Sequence, residues 1–188
     1  MAPWLTDIQT NFIQERTVMD LFTSKETHEL LQLTGFQTAH DLFAHIVRTT
    51  IPAPKLKSRI QTAKEFYASG CGNDWEVANF NFKILTALGY TCRILFLATQ
   101  KDLCGASQAT TLYRSRNGVW RAMVWSTKLE KGIFGPHVRL IELIDVLKQA
   151  FTATYSKPLF SSLGYDTVPD RCDIKTYFDM VNCWKPPS

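Results

Sequence analysis

Residues 68–90 read ASGCGNDWEVANFNFKILTALGY. A cysteine, Cys71, stands between two glycines, and a strongly apolar helical segment follows it. On a wheel of about 100° per residue, positions 74–88 put Glu76, Asn79, Lys83 and Thr86 on one narrow polar stripe. Trp75, Val77, Ala78, Phe80, Phe82, Ile84, Leu85, Ala87 and Leu88 fill the rest, so the helix is expected to be buried on most of its circumference. Asp74 and Asn81 fall inside the apolar arc, where an unpaired polar group is costly. Gly89 ends the helix, and TCRILFLA at 91–98 reads as a buried strand.

Two alternating runs follow, QATTLYRS at 108–115 and VWRAMVWS at 119–126, joined through Asn117-Gly118, a strong hairpin signal. Helical spacing returns in VRLIELIDVLKQAF at 138–151, and a tail punctuated by Pro and Gly ends the chain. Upstream, apolar residues at helical spacing over 5–33 predict two helices broken near TSKET, with Ser24 and Thr27 as N-caps and Gly35 as the stop. TAHDLFAHIVRT predicts another short helix. Pro52 and Pro54 predict a break, and KLKSRIQTAKEFYASG a helix closed by Gly70. The order predicts an α+β fold: N-terminal helices, a buried central helix on a small antiparallel sheet, and a C-terminal helix. One domain is expected over 1–188, with a helical part at 1–68, a core at 70–126 and a C-terminal helix and tail at 127–188.

The 188 residues are 45% hydrophobic and 12% aromatic, ample for a packed core. The net charge is +4. Its basic residues (Lys55, Lys57, Arg59, Lys64, Arg114, Arg116, Arg121) are scattered and give no nucleic-acid motif, so a solvated surface is expected. The five cysteines (Cys71, Cys92, Cys104, Cys172, Cys183) show no CxxC or Cys/His spacing. No metal and no cofactor are expected. The first residues lack a basic stretch followed by an apolar one, and no apolar run is long enough to span a membrane. A cytoplasmic, reduced protein without a signal peptide is expected.

Buried helix, strand and hairpin, in that order, resemble the core of the transglutaminase-like and papain-like cysteine enzymes, and most of all the bacterial transglutaminase-like cysteine proteinases. GNDWEVANFNFKILTALGY matches their helix, and QATTLYRSRNGVWRAMVW their hairpin. In that family a cysteine heads the helix, a His-Ala begins a later strand, and an Asp or Asn on the next strand orients the histidine. Aligned without gaps, the cysteine position falls on Asp74, the histidine position on Gln108 before Ala109, and the acid position near 123–125, where no carboxylate stands. The resemblance therefore implies the frame with a degenerate triad.

A thiolate is activated by a helix N-terminus and usually by a histidine. Cys71 has the helix, and an alignment slipped by three residues would put it in the nucleophile's place; one helical turn upstream of Asp74 is the same face, so the two could look into one cavity. His137, in FGPHVRL, is the candidate base for that alternative; otherwise it is a loop residue before a helix. Gln108 cannot take a proton near neutral pH. Asp74 is either part of an altered site or an ordinary first-turn acid behind an Asn73 cap with Glu76 three residues on. Trp75, Trp120 and Trp125 read as core rather than as a substrate platform, and Cys92 as an inward strand residue. Cys71 and Cys104 are near enough in sequence logic for a disulfide to be an option. The expectation is a pseudoenzyme, a binding or assembly module working with protein partners or copies of itself, with a structural component of a viral particle as one setting. An active cysteine hydrolase or acyl transferase using Cys71 is the alternative, and a plain α+β adaptor the third reading.

Overall fold

A computed structural model of the chain describes residues 25–53, 58–100, 105–126, 129–155 and 159–188. The expectations placed on residues 5–24, on Pro54 and on Cys104 lie outside them. Helices α1 (Lys25–Thr34) and α2 (Ala39–Thr49) open the described chain. Gly35 ends α1 with φ 70°, and Thr38 caps α2 by accepting from Asp41 N. Thr27 lies inside α1 rather than at its cap.

Two expectations upstream of the central helix are corrected. Of the segment 55–70 expected to be one helix, the described residues 58–62 are not helical. Helix α3 covers only Ala63–Ser69, because Thr62 and Glu65 close a capping box and fix its start. Pro52 does not exclude regular structure: β1 (Ile51–Pro52) pairs in parallel with β2 (Cys71–Gly72). Ile51 N donates to Gly70 O and Ala53 N to Gly72 O, and Pro52, between them, has no N–H to place.

Helix α4 (Asp74–Ala87) is the buried helix expected. Asn73 accepts from Glu76 N, and the Glu76 carboxylate accepts from Asn73 N, which completes the capping box. Phe82 is 6% exposed and Leu85 0%. The sheet is antiparallel throughout, in the order β6-β5-β4-β3-β7, with β3 (Thr91–Ala98), β4 (Ser107–Arg114) and β5 (Trp120–Val124) forming its centre. The β4–β5 turn closes through Gly118, at φ 83°, where Ser115 N donates to Val119 O. β6 (Gly132–His137) and β7 (Phe160–Gly164) are the edges. Neither was expected, since GIFGPH and FSSLG carry the glycine, proline and serine of loops.

Alternation along the strands gives the sheet two cores. Cys92, Ile94, Phe96, Ala109, Tyr113, Met123 and Trp125 face α4, the N-terminal helices and α6 (Ile174–Asn182). Leu95, Leu97, Leu112, Ala122 and Val124 face α5 (Leu140–Tyr155), whose Leu143, Ile144, Leu147 and Phe151 cover them. Trp75, Trp120 and Trp125 are all buried, and Trp75 stacks on Tyr177 at 4.8 Å between centroids.

Of the two polar residues in the apolar arc of α4, Asn81 is fully buried, and neither atom of its amide has a hydrogen-bond partner among the described residues. An unpaired buried amide costs about 1–3 kcal/mol. Asn81→Leu, close in volume, should therefore raise stability by about 1 kcal/mol, whereas Phe80→Ala should lower it by about 3–5 kcal/mol. Urea unfolding of both variants measures this, and a destabilised Asn81→Leu would mean that the amide has a role the packing does not reveal.

Candidate functional site

The head of α4, the β1–β2 ladder and the starting end of β4 surround a pocket of about 260 Å³. Gly72, Asn73, Asp74, Ser107, Gln108, Trp125, Ser126 and Tyr155 line it, with Pro52, Ala53 and Ala106. Residues that the resemblance aligns with the nucleophile and the base thus share one pocket with Trp125, from the segment aligned with the orienting acid. Sequence reasoning missed Ser107, Ser126 and Tyr155. They come from three separate elements, and only the fold brings them together.

Asp74 is held by geometry as well as by sequence. Its Oδ2 accepts from Ala109 N at 2.7 Å, which ties the first residue of α4 to β4. The residue keeps some surface toward the pocket, but protein atoms crowd the carboxyl. That desolvation, reinforced by the negative charge of Glu76 and opposed by the Ala109 N–H, pushes the Asp74 carboxyl up from 3.8 to about 7. Asp74 is thus more than a solvated first-turn acid, although the Asn73–Glu76 capping box forms as the motif suggests. Glu76 also accepts from Gln61 N at 2.9 Å and is 2% exposed.

Gln108 does not face Asp74. It pairs across the ladder with Leu97, and Leu97 belongs to the core on the α5 side. Its amide donates to Ala109 O at 2.9 Å and to Trp125 O at 3.2 Å, stitching the ends of β4 and β5. From β4, the side chains on the α4 side begin with Ser107, Ala109 and Thr111, and Thr111 Oγ1 donates to Ala78 O at 2.8 Å.

Cys71 sits half-buried in β2, opposite Ile51. It is next to Gly72 but not among the residues lining the pocket. His137 does not come to it. His137 ends β6 opposite Trp120, which pairs with Arg114 at the far end of β4. Six strand steps from Gln108 to Arg114 separate the two ends by roughly 20 Å. His137 Nδ1 lies 4.0 Å from Glu142 Oε2 instead. His45 packs between Phe36 and Tyr67, at 5.1 and 5.5 Å between centroids, and burial together with Arg48 lowers its pKa. Cys92 is core, and burial pushes its thiol up to about 12. The Cys71–Cys104 disulfide option falls on Cys104, outside the described residues.

Close packing constrains the pocket floor. A Cβ at Gly72 would lie 2.7 Å from the Phe66 ring and 3.0 Å from Glu76 Oε2, so only glycine fits without displacing the buried cap. A larger cavity, of about 400 Å³, lies between α1, the C-terminal half of α4 and residues 166–170. Its acids are partly neutralised by Lys83, whose Nζ is 3.0 Å from Asp170 and 3.8 Å from Glu26. Among the described residues no cluster of three His, Cys, Asp or Glu has metal-binding geometry, and no helix is long and apolar enough to cross a membrane.

What fold and site define together is an α+β chain with a buried helix whose head carries a near-neutral carboxyl in a small polar pocket. No known family model and no curated protein matches the chain.

The Asp74 carboxyl makes stability depend on pH with a definite sign. The native state holds this proton to about pH 7 and the unfolded chain only to 3.8. The native state therefore binds more protons in that window, and its stability falls as pH rises from 3.8 through about 7. Asp74→Asn keeps an acceptor for Ala109 N–H and removes the charge. Thermal melts should show the variant more stable than the parent at pH 8, level with it near pH 4, and flatter between. Asp74→Ala, which strands the Ala109 N–H, should be less stable than Asp74→Asn by about 1–3 kcal/mol at every pH. An Asp74→Asn melt that tracks the parent across the window would sink the assignment of the near-neutral titration to Asp74.

Proposed function

We propose that this chain is a non-catalytic module of transglutaminase-like architecture that works by binding or assembly with protein partners or further copies of itself, in the cytoplasm or as a structural component of a viral particle. The observation that carries the reading is Asp74. Where the resemblance puts a nucleophilic thiol stands a carboxyl engaged as the acceptor of Ala109 N–H, in a pocket whose lining, among the described residues, includes neither thiol nor imidazole. A carboxyl there can hold a proton or a hydrogen bond. It cannot form the thioester on which cysteine acyl transfer depends.

Three further features support the reading. Gln108, at the position of the base, spends its amide on two backbone carbonyls. The hydrogen-bonding groups of the segment aligned with the orienting acid are those of Trp125 and the backbone. His137 lies at the opposite end of the sheet from Cys71, too far for the hydrogen bond that general-base catalysis requires. Fold alone does not fix function, and here the frame persists while each chemical position holds a residue suited to packing or capping.

The test separates binding from turnover. Iodoacetamide at pH 7 should alkylate Cys71 no faster than a simple peptide thiol, and Cys71→Ala should leave the biological role intact. Isolated from its native source under mild conditions, the chain should sediment in a complex with other proteins or with itself. Fast alkylation of Cys71 persisting to about pH 6, well below the ordinary thiol range, together with hydrolysis of an acyl ester that Cys71→Ala abolishes, would overturn the proposal in favour of a cysteine hydrolase.

A further inference from the structure

A second polar concavity lies at the other end of the sheet, away from Asp74. Two adjoining hollows, of about 400 and 510 Å³, share Tyr90 and Ser115. One takes in Thr38, Ala39 and His40 at the head of α2 together with Tyr113 and Arg121, and the other takes in Arg116 and Asn117 of the hairpin. Among the described residues, no carboxylate lines either hollow. The one acid in the first turn of α2, Asp41, is outside that lining.

Three kinds of uncommitted donor meet in the first hollow. The first is backbone. Thr38 takes the Asp41 N–H and Leu42 N bonds to Thr38 O, which leaves the N–H groups of Ala39 and His40 among those that helix geometry cannot pair. The second is Arg121. Arg59, Lys64, Lys83, Arg171 and Lys175 each face a carboxylate, whereas Arg121 has no ion pair or hydrogen bond among the described residues. The third is Tyr113, cross-strand partner of Arg121. Tyr113 is 3% exposed, lines the hollow, and its hydroxyl has no hydrogen-bond partner among the described residues. The ring is packed in the core, and Tyr113 lines the hollow together with Arg121, whose positive charge acts on its hydroxyl.

We propose that the groove between the head of α2 and the β4–β5 hairpin binds a phosphoryl group, as carried by a nucleotide or a nucleic-acid strand. A helix N-terminus offers N–H groups and a partial positive charge to an anion. A guanidinium supplies the strongest side-chain donor for phosphate, with two parallel N–H groups. Burial pushes the Tyr113 hydroxyl up to about 12, so it stays protonated and donates at neutral pH. Tyr90 meets Tyr113 edge to face, with 5.4 Å between ring centroids, and lines both hollows. That aromatic surface suits a base next to the phosphate, and Arg116 in the second hollow suits the next phosphate along a strand. Scattered through the sequence, Arg114, Arg116 and Arg121 give no motif; the hairpin gathers them at one end of the sheet.

The test uses the full chain and three probes: inorganic phosphate, adenosine monophosphate and a ten-nucleotide oligothymidylate. Calorimetry or chemical-shift titration should show all three competing for one site. Arg121→Gln should weaken each by at least about tenfold, and Tyr113→Phe, which keeps the ring in the core, by about threefold. Arg121 is half-buried at the groove, so its variant should melt with the parent. Adenosine monophosphate binding tighter than phosphate would support a nucleotide as the source, and oligothymidylate binding tightest with a steep salt slope would support a strand. The proposal is overturned if none of the probes binds in the millimolar range, or if the parent and Arg121→Gln bind them equally.

Discussion

The architecture depends on how closely α4 lies against β4. Thr111 Oγ1 reaches the carbonyl of Ala78 across the layer interface, an approach that only a small side chain at 78 allows. One turn earlier, Asp74 takes the amide of Ala109. These two bonds run from strand to helix rather than along either element; the first is buried and the second partly so, and a hydrogen bond away from bulk water is hard to replace. They set the height and rotation of the helix on the sheet. The aromatic packing around it, Phe66 on Phe80 at 5.2 Å and Trp75 on Tyr177, then fills the space left over.

That same contact decides what the pocket can do. A helix pinned by its first residue presents the pinning group at its head. The carboxyl is used to hold the backbone of β4, and its environment makes ionisation costly. The strand contributes equally little chemistry, because the period of two sends Gln108 to the α5 side of the sheet while the side chain of Ala109, a methyl, points toward α4. A general base grafted at 108 would face away from the helix. The pocket forms where these elements meet at an end of the sheet, and hydroxyls and an acid are among the groups that line it.

Much of this was legible in the sequence, for identifiable reasons. The buried helix and the central hairpin announced themselves through long, clean periodicity and an Asn-Gly turn, signals that packing reinforces. The capping boxes at Thr62 and Asn73 are local chemistry and readable as such, yet the first was overlooked and the α3 start misplaced, because helical spacing continued upstream of it. β6 and β7 were illegible. Edge strands borrow their order from a neighbour and need little propensity of their own, so GIFGPH and FSSLG look like loop. Of the site, Asp74 and Gln108 were found through a resemblance that aligns positions in a chain. Which face of the strand Gln108 occupies follows from the ladder register and not from the alignment. Arg121 and Tyr113 were visible only as a charge and an aromatic, since what distinguishes them is the lack of a partner.

The edges themselves carry a consequence for how such a chain can associate. At β6, Pro136 withdraws one N–H from the outer rim and Gly135 turns to φ 103° beside it, so an incoming strand would find an incomplete row of donors. At β7, Leu163 already gives its N–H to Lys185 from the C-terminal segment, which occupies that rim. Each border of the sheet is thus blunted at one point against templating by a further strand, the usual route to runaway stacking. A sheet interrupted at both edges is less prone to fuse edge to edge with further copies at high local concentration.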